Sequence, residues 1–140
     1  MKAAAKLFAG LIATAVGKSN NNQILPPPDS KADLPEKMLV LIPGADVDTG
    51  YYKDTAKAIQ EAADLKLWVV IPEIADKFCI SVCSTASLCG HLQTDVSKVI
   101  GMAKDQGYTG PLVGEGVFMS GHSLGSTCAD NLVRGFTGQY

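Results

Sequence analysis

The side chain best suited to chemistry is Ser123, within Gly121-His122-Ser123-Leu124-Gly125. These residues fit the pattern G-x-S-x-G, and the run Val117-Phe118-Met119-Ser120 leads into them. The pattern has a steric reason. A serine on a tight strand-to-helix turn crowds the residues two before and two after it, so both are best glycine. Its hydroxyl then projects at a helix N-terminus, where free backbone N–H groups favour developing negative charge. Such a hydroxyl can attack a carbonyl carbon if a base takes its proton and N–H donors hold the resulting oxyanion. The pattern is short enough to arise by chance in a chain with 14 glycines, so its surroundings decide.

Those surroundings read as alternating strands and helices. Lys37-Met38-Leu39-Val40-Leu41-Ile42 is an unbroken apolar run stopped by Pro43-Gly44, and Leu67-Trp68-Val69-Val70-Ile71 repeats it before Pro72. Runs without polar alternation suit strands buried on both faces, as in a parallel sheet. Between them, Tyr52, Ala56, Ile59, Ala62 and Ala63 mark one helical face, with Lys53, Lys57, Gln60, Glu61 and Asp64 turned outward and Asp48 or Thr49 as cap. Leu92, Val96, Val99, Ile100 and Ala103 mark a second helix; Cys128, Leu132, Val133 and Phe136 mark a third. The spacing predicts an α/β fold with right-handed crossovers. In such a sheet ligands gather at the C-terminal strand ends. Pro43-Gly44-Ala45 and Gly121-His122-Ser123 both sit there, so they are expected to be neighbours.

Composition narrows the chemistry. A formal net charge of −2 argues against nucleic acid as a partner, because phosphate binding needs a basic surface. Neither a phosphate-binding glycine loop nor H-E-x-x-H is present. Cys79, Cys83, Cys89 and Cys128 lack zinc-type spacing; their even number suits two disulfides, with the pairing open. No metal or cofactor is implied. The stretch from Glu73 to Gly90, which holds three of the cysteines, is expected to be an irregular connection or a substrate-lining loop.

The start of the chain stands apart. Met1-Lys2-Ala3-Ala4-Ala5-Lys6 is basic, Leu7 to Val16 is apolar but too short to span a bilayer, and Ala13-Thr14-Ala15 offers small residues for cleavage. Residues 1–17 therefore read as a secretory signal, which places the protein in the secretory pathway or outside the cell. Residues 18–37, with Ser19-Asn20-Asn21-Asn22 and Pro26-Pro27-Pro28, read as a linker or surface-draped arm, leaving 38–140 as the folded domain.

Over about residues 38 to 136 the chain resembles the α/β-hydrolase superfamily, especially its lipase-, esterase- and chlorophyllase-like members. Leu39-Val40-Leu41-Ile42-Pro43-Gly44-Ala45 resembles the family's strand and oxyanion loop. Val47-Asp48-Thr49-Gly50-Tyr51-Tyr52, the following helix and Val69-Val70-Ile71-Pro72 resemble the next segment. Val117 to Gly125 resembles the nucleophile strand and elbow. The resemblance implies a three-layer α/β/α fold with a parallel sheet and a hydrolase acting on small-molecule or lipid carboxylic esters. It implies Ser123 as nucleophile and Gly121 and Gly125 as elbow glycines. The oxyanion donors would be the backbone N–H groups of Leu124 and Ala45, with Asp46 the near alternative to Ala45. His122 matches the variable position of the elbow and reads as structural.

The family's order is serine, acid, histidine, but no histidine follows Ser123. Asp130 falls in the helix after the elbow, and His91 precedes it. The chain is therefore expected to be the N-terminal portion of a longer hydrolase, without the triad acid and histidine. Its last strand is expected to leave a sheet edge open to self-association. Two other readings stand beside this one. A non-catalytic module of the same fold would bind a ligand or partner chain, and Gly-His-Ser-Leu-Gly also resembles the serine motif of acyl-carrier transacylases and thioesterases.

Overall fold

The computed structural model describes residues 21–135. The secretory-signal segment and Phe136 lie outside the described residues. The elements are β1 (Gln23–Leu25), β2 (Glu36–Ile42), α1 (Lys53–Ala62), β3 (Lys66–Ile71), α2 (Cys79–Val82), α3 (Gly90–Asp105), β4 (Val117–Gly121) and α4 (Leu124–Gly135). They form an α/β fold around one four-stranded sheet of order β1-β3-β2-β4.

The expectation of a purely parallel sheet is corrected. β2 runs parallel to β3 and β4, but β1 pairs antiparallel with β3, so the sheet is mixed. β1 lies inside the stretch read as a linker. At three residues before a proline run it is too short to carry a periodicity. What holds it is Gln60, whose Nε2 lies 2.8–3.0 Å from the carbonyl oxygens of Leu25, Pro26 and Leu67. Gln60, expected on the outer face of its helix, is buried, because it ties α1 to β1 and β3.

Side chains alternate across the sheet, as a strand period of two requires. Met38, Val40, Ile42, Trp68 and Val70 pack on one face with Leu92, Val96, Val99 and Ala103 of α3 and Cys128 and Leu132 of α4. Leu41, Leu67, Val69 and Ile71 pack on the other with Tyr52 and Ala56. Val133, expected in the α4 core, is exposed. β4 is an edge strand: Val117 packs inward, whereas Phe118 and Ser120 face out. No described helix is long and apolar enough to cross a membrane.

The irregular stretch after β3 folds as short helical turns held by two disulfides, Cys79–Cys128 and Cys83–Cys89. The first fastens α2 to α4, one turn beyond Leu124.

At the end of the sheet opposite the elbow, Glu36 gathers four donors. Its carboxylate accepts hydrogen bonds from Trp68 Nε1 (2.9 Å), Thr109 N–H (3.1 Å) and Thr109 Oγ1 (2.6 Å), and pairs with Lys66 Nζ (3.0 Å). Burial pushes the carboxyl pKa up, but the hydrogen bonds from Thr109, Lys66 and Trp68 outweigh it and hold the value at about 2, against an ordinary 4.5. The folded carboxyl thus binds a proton less readily than the unfolded one. Its contribution to stability is complete above pH 4.5 and is lost as pH falls from 4.5 towards 2. Denaturant midpoints measured across that window are expected to fall in the native chain and to fall less steeply in Glu36→Gln.

Candidate active site

β4 delivers the chain to the C-terminal edge of the sheet, and α4 begins three residues after Gly121. The turn between them holds Ser123 at φ 53°, in the left-handed region that a side chain rarely adopts. The flanking glycines are required by space. A Cβ on Gly121 would lie 2.2 Å from the carbonyl of Gly125, and a Cβ on Gly125 would lie 2.4 Å from the carbonyl oxygen of Ile42 and 2.5 Å from that of Pro43. The turn itself thus requires glycine at 121, and the end of β2 with its loop requires it at 125. Left-handed backbone at a non-glycine residue costs on the order of 1 kcal/mol. Ser123→Gly is accordingly expected to be about 1 kcal/mol more stable than Ser123→Ala by chemical denaturation, although both lose the hydroxyl.

The elbow packs on the loop after β2, so the two strand ends are in contact as the topology implies. His122 N–H donates to Ile42 O (3.1 Å), a bond that fastens the turn to the end of the central strand. In the loop, Gly44 N–H donates to Tyr52 Oη (2.8 Å), Asp46 N–H to Lys77 O (2.9 Å) and Val47 N–H to Gly44 O (3.3 Å). Pro43 has no N–H. Within Pro43 to Val47, Ala45 is the residue whose N–H meets no acceptor among the described residues. On the elbow, Gly125 N–H donates to His122 O and Ser126 N–H to Ser123 O, while Leu124 N–H, in the first turn of α4, meets none. Asp46, the alternative donor, has its N–H occupied.

Ser123 is exposed, and its Oγ makes no hydrogen bond to any described residue, including either histidine. No protein-family model, curated protein or solved structure matches the chain.

The remaining polar groups nearby are committed elsewhere. His122 points its Nδ1 at Tyr52 Oη (3.0 Å), with the two rings edge-on at 5.8 Å. Asp130 pairs with Arg134 one turn along α4, and His91 is exposed at the start of α3. Ser126 Oγ donates to Gly121 O. All four cysteines are in disulfides, and no group of three His, Cys, Asp or Glu among the described residues is arranged to hold a metal. An open groove of about 420 Å³ runs beside the elbow, lined by Leu41, Val47, Tyr51, Ile59 and Ser120 among others. A larger hollow between β1 and α1, about 500 Å³, shares no residue with the elbow. Ser123 lies at the N-terminus of α4, and the N–H groups of Leu124 and Ala45 meet no acceptor among the described residues. It does not bring a base to that oxygen.

Sequence reasoning missed Tyr52, which it placed on the inner face of a helix as an apolar residue. The contact it makes with His122 spans 70 residues, and no local pattern records it.

Proposed function

We propose that this chain carries the nucleophile-bearing part of a serine hydrolase acting on carboxylic esters, with an α/β-hydrolase-like three-layer arrangement about the parallel strands β2, β3 and β4. The observation that carries the proposal is the left-handed Ser123 between two glycines that no other residue can replace without a backbone clash. Ser123 is the nucleophile. The N–H groups of Leu124 and Ala45 are the oxyanion donors, and their lack of intramolecular acceptors leaves them free for that work. The helix N-terminus adds its partial positive charge to theirs. The proposal assigns the base and the acid to no described residue, since neither histidine reaches the Ser123 hydroxyl. Substrates are small-molecule or lipid esters, and no cofactor takes part.

Two disulfides suit an oxidising compartment, and they support secretion together with the basic-then-apolar start of the chain. The exposed edge of β4 supports self-association. The unpartnered Ser123 Oγ is the observation that favours the second reading, a non-catalytic module of the same fold.

Ester turnover separates the two. Produced from its complete coding sequence, the protein is expected to hydrolyse short-chain p-nitrophenyl esters, and Ser123→Ala is expected to lower kcat by at least about 10³-fold. Full turnover in Ser123→Ala contradicts the proposal. A folded wild type with no turnover favours the binding module.

A further inference from the structure

Tyr52 touches three segments: the loop after β2, the start of α1 and the elbow. Its ring is buried in the α1-side core, at the end of the short helical turn Thr49–Tyr52 that leads into α1. Its Oη accepts the N–H of Gly44 at 2.8 Å and lies 3.0 Å from His122 Nδ1. The phenol oxygen accepts from Gly44 N–H with one lone pair, and its contact with Nδ1 is made by the phenol proton or by Nδ1–H according to the His122 tautomer. Gly44 fits between them because it has no side chain: a Cβ there would lie 2.7 Å from His122 Nδ1. Loop, helix start and elbow are thereby fastened through one hydroxyl.

We propose that Tyr52 is a positioning residue for the oxyanion site, holding the Gly44–Ala45 backbone so that Ala45 N–H faces the same space as Leu124 N–H. This rests on the reading of Ser123 as nucleophile. Donors that stabilise an oxyanion must be aimed before the reaction, since reorienting a peptide during it forfeits the gain. The peptide that carries Ala45 N–H is held on its carbonyl side by the Val47 N–H to Gly44 O bond (3.3 Å) and on its amino side by Tyr52, through Gly44 N–H. Pro43 donates nothing, and the next fixed N–H is that of Asp46. Tyr52→Phe removes the restraint while keeping the ring in its core position. It also leaves the buried Gly44 N–H without its acceptor.

The test uses two readouts on the folded protein. Amide hydrogen exchange at Gly44 is expected to rise at least about tenfold in Tyr52→Phe, with the β2 and β3 amides unchanged. The rate at which a fluorophosphonate modifies Ser123 is expected to fall by about 10- to 100-fold, the range typical of residues that orient the groups doing chemistry. His122→Leu, which keeps the Gly44 N–H to Tyr52 Oη bond but removes that hydroxyl's tie to the elbow, should lower the phosphonylation rate, and His122→Asn, which keeps a polar group near the Nδ1 position, should restore much of it. Unchanged exchange at Gly44 overturns the proposal. So does faster exchange with an undiminished phosphonylation rate, which would leave Tyr52 a purely structural residue. A wild type that is never labelled refutes the nucleophile reading and with it this proposal's role for Tyr52, while the exchange result still reports whether the three segments are fastened together.

Discussion

Replacing Cys79 and Cys128 together by alanine is expected to lower the unfolding free energy by about 4 kcal/mol, whereas the same change at Cys83 and Cys89 is expected to cost about 2 kcal/mol. The difference follows from loop length. The first bridge closes a separation of 49 residues and the second a separation of 6, so the first restricts the unfolded chain far more. Its location adds to this: the bridge is buried and ties α2 to α4 behind the nucleophile turn. A loss of about 4 kcal/mol is a large share of the 5–15 kcal/mol that holds an ordinary domain together. The first pair of substitutions should also loosen α4, and with it the N–H of Leu124. Denaturant unfolding under non-reducing conditions measures both losses. Equal losses for the two bridges would contradict the account.

The second large effect belongs to the elbow. Gly125→Ala is expected to destabilise the chain by at least about 3 kcal/mol, at the upper end of what overpacking costs. Its Cβ would press on the carbonyl oxygens of Ile42 and Pro43, and Ile42 ends the central strand, fully buried. Neither carbonyl can retreat without breaking the β2–β4 register that pairs Ile42 with Gly121. The cost is steric rather than conformational, because Gly125 does not have positive φ. Gly101→Ala is the control. That glycine lies in α3 with open space where its Cβ would go, so alanine there is expected to stabilise by about 1 kcal/mol through helix propensity. Thermal or urea melts of the two variants should move in opposite directions. A Gly125→Ala chain as stable as wild type would mean that the turn is not packed as described.

How much of this was legible in the sequence depends on the range of the interaction. Unbroken apolar runs at Met38–Ile42 and Leu67–Ile71 disclosed β2 and β3, since a strand covered on both sides has no polar face to alternate with. The helical spacing of Leu92, Val96, Val99, Ile100 and Ala103 disclosed α3, and all five are buried. β1 escaped because three residues carry no period and its anchor, Gln60, looks like an ordinary outward glutamine. The disulfide pairing was equally unreadable, since four cysteines allow three connectivities and nothing local chooses among them. At the candidate site the contrast is the same. Gly121, Ser123 and Gly125 form a compact signature within five residues, although the crowding that requires Gly125 comes from Ile42 and Pro43 across the sheet end. Tyr52 does its work across the sheet, where only folding reveals it.

The central claim is that Ser123 is a nucleophile set between two oxyanion donors. It is tested most directly by treating the folded protein, from its complete coding sequence, with a fluorophosphonate and mapping the modified peptide by mass spectrometry. The account predicts one adduct, on Ser123, absent from Ser123→Ala and present in Ser126→Ala, which removes the neighbouring hydroxyl instead. No adduct on the folded protein, or an adduct that persists in Ser123→Ala, would contradict it.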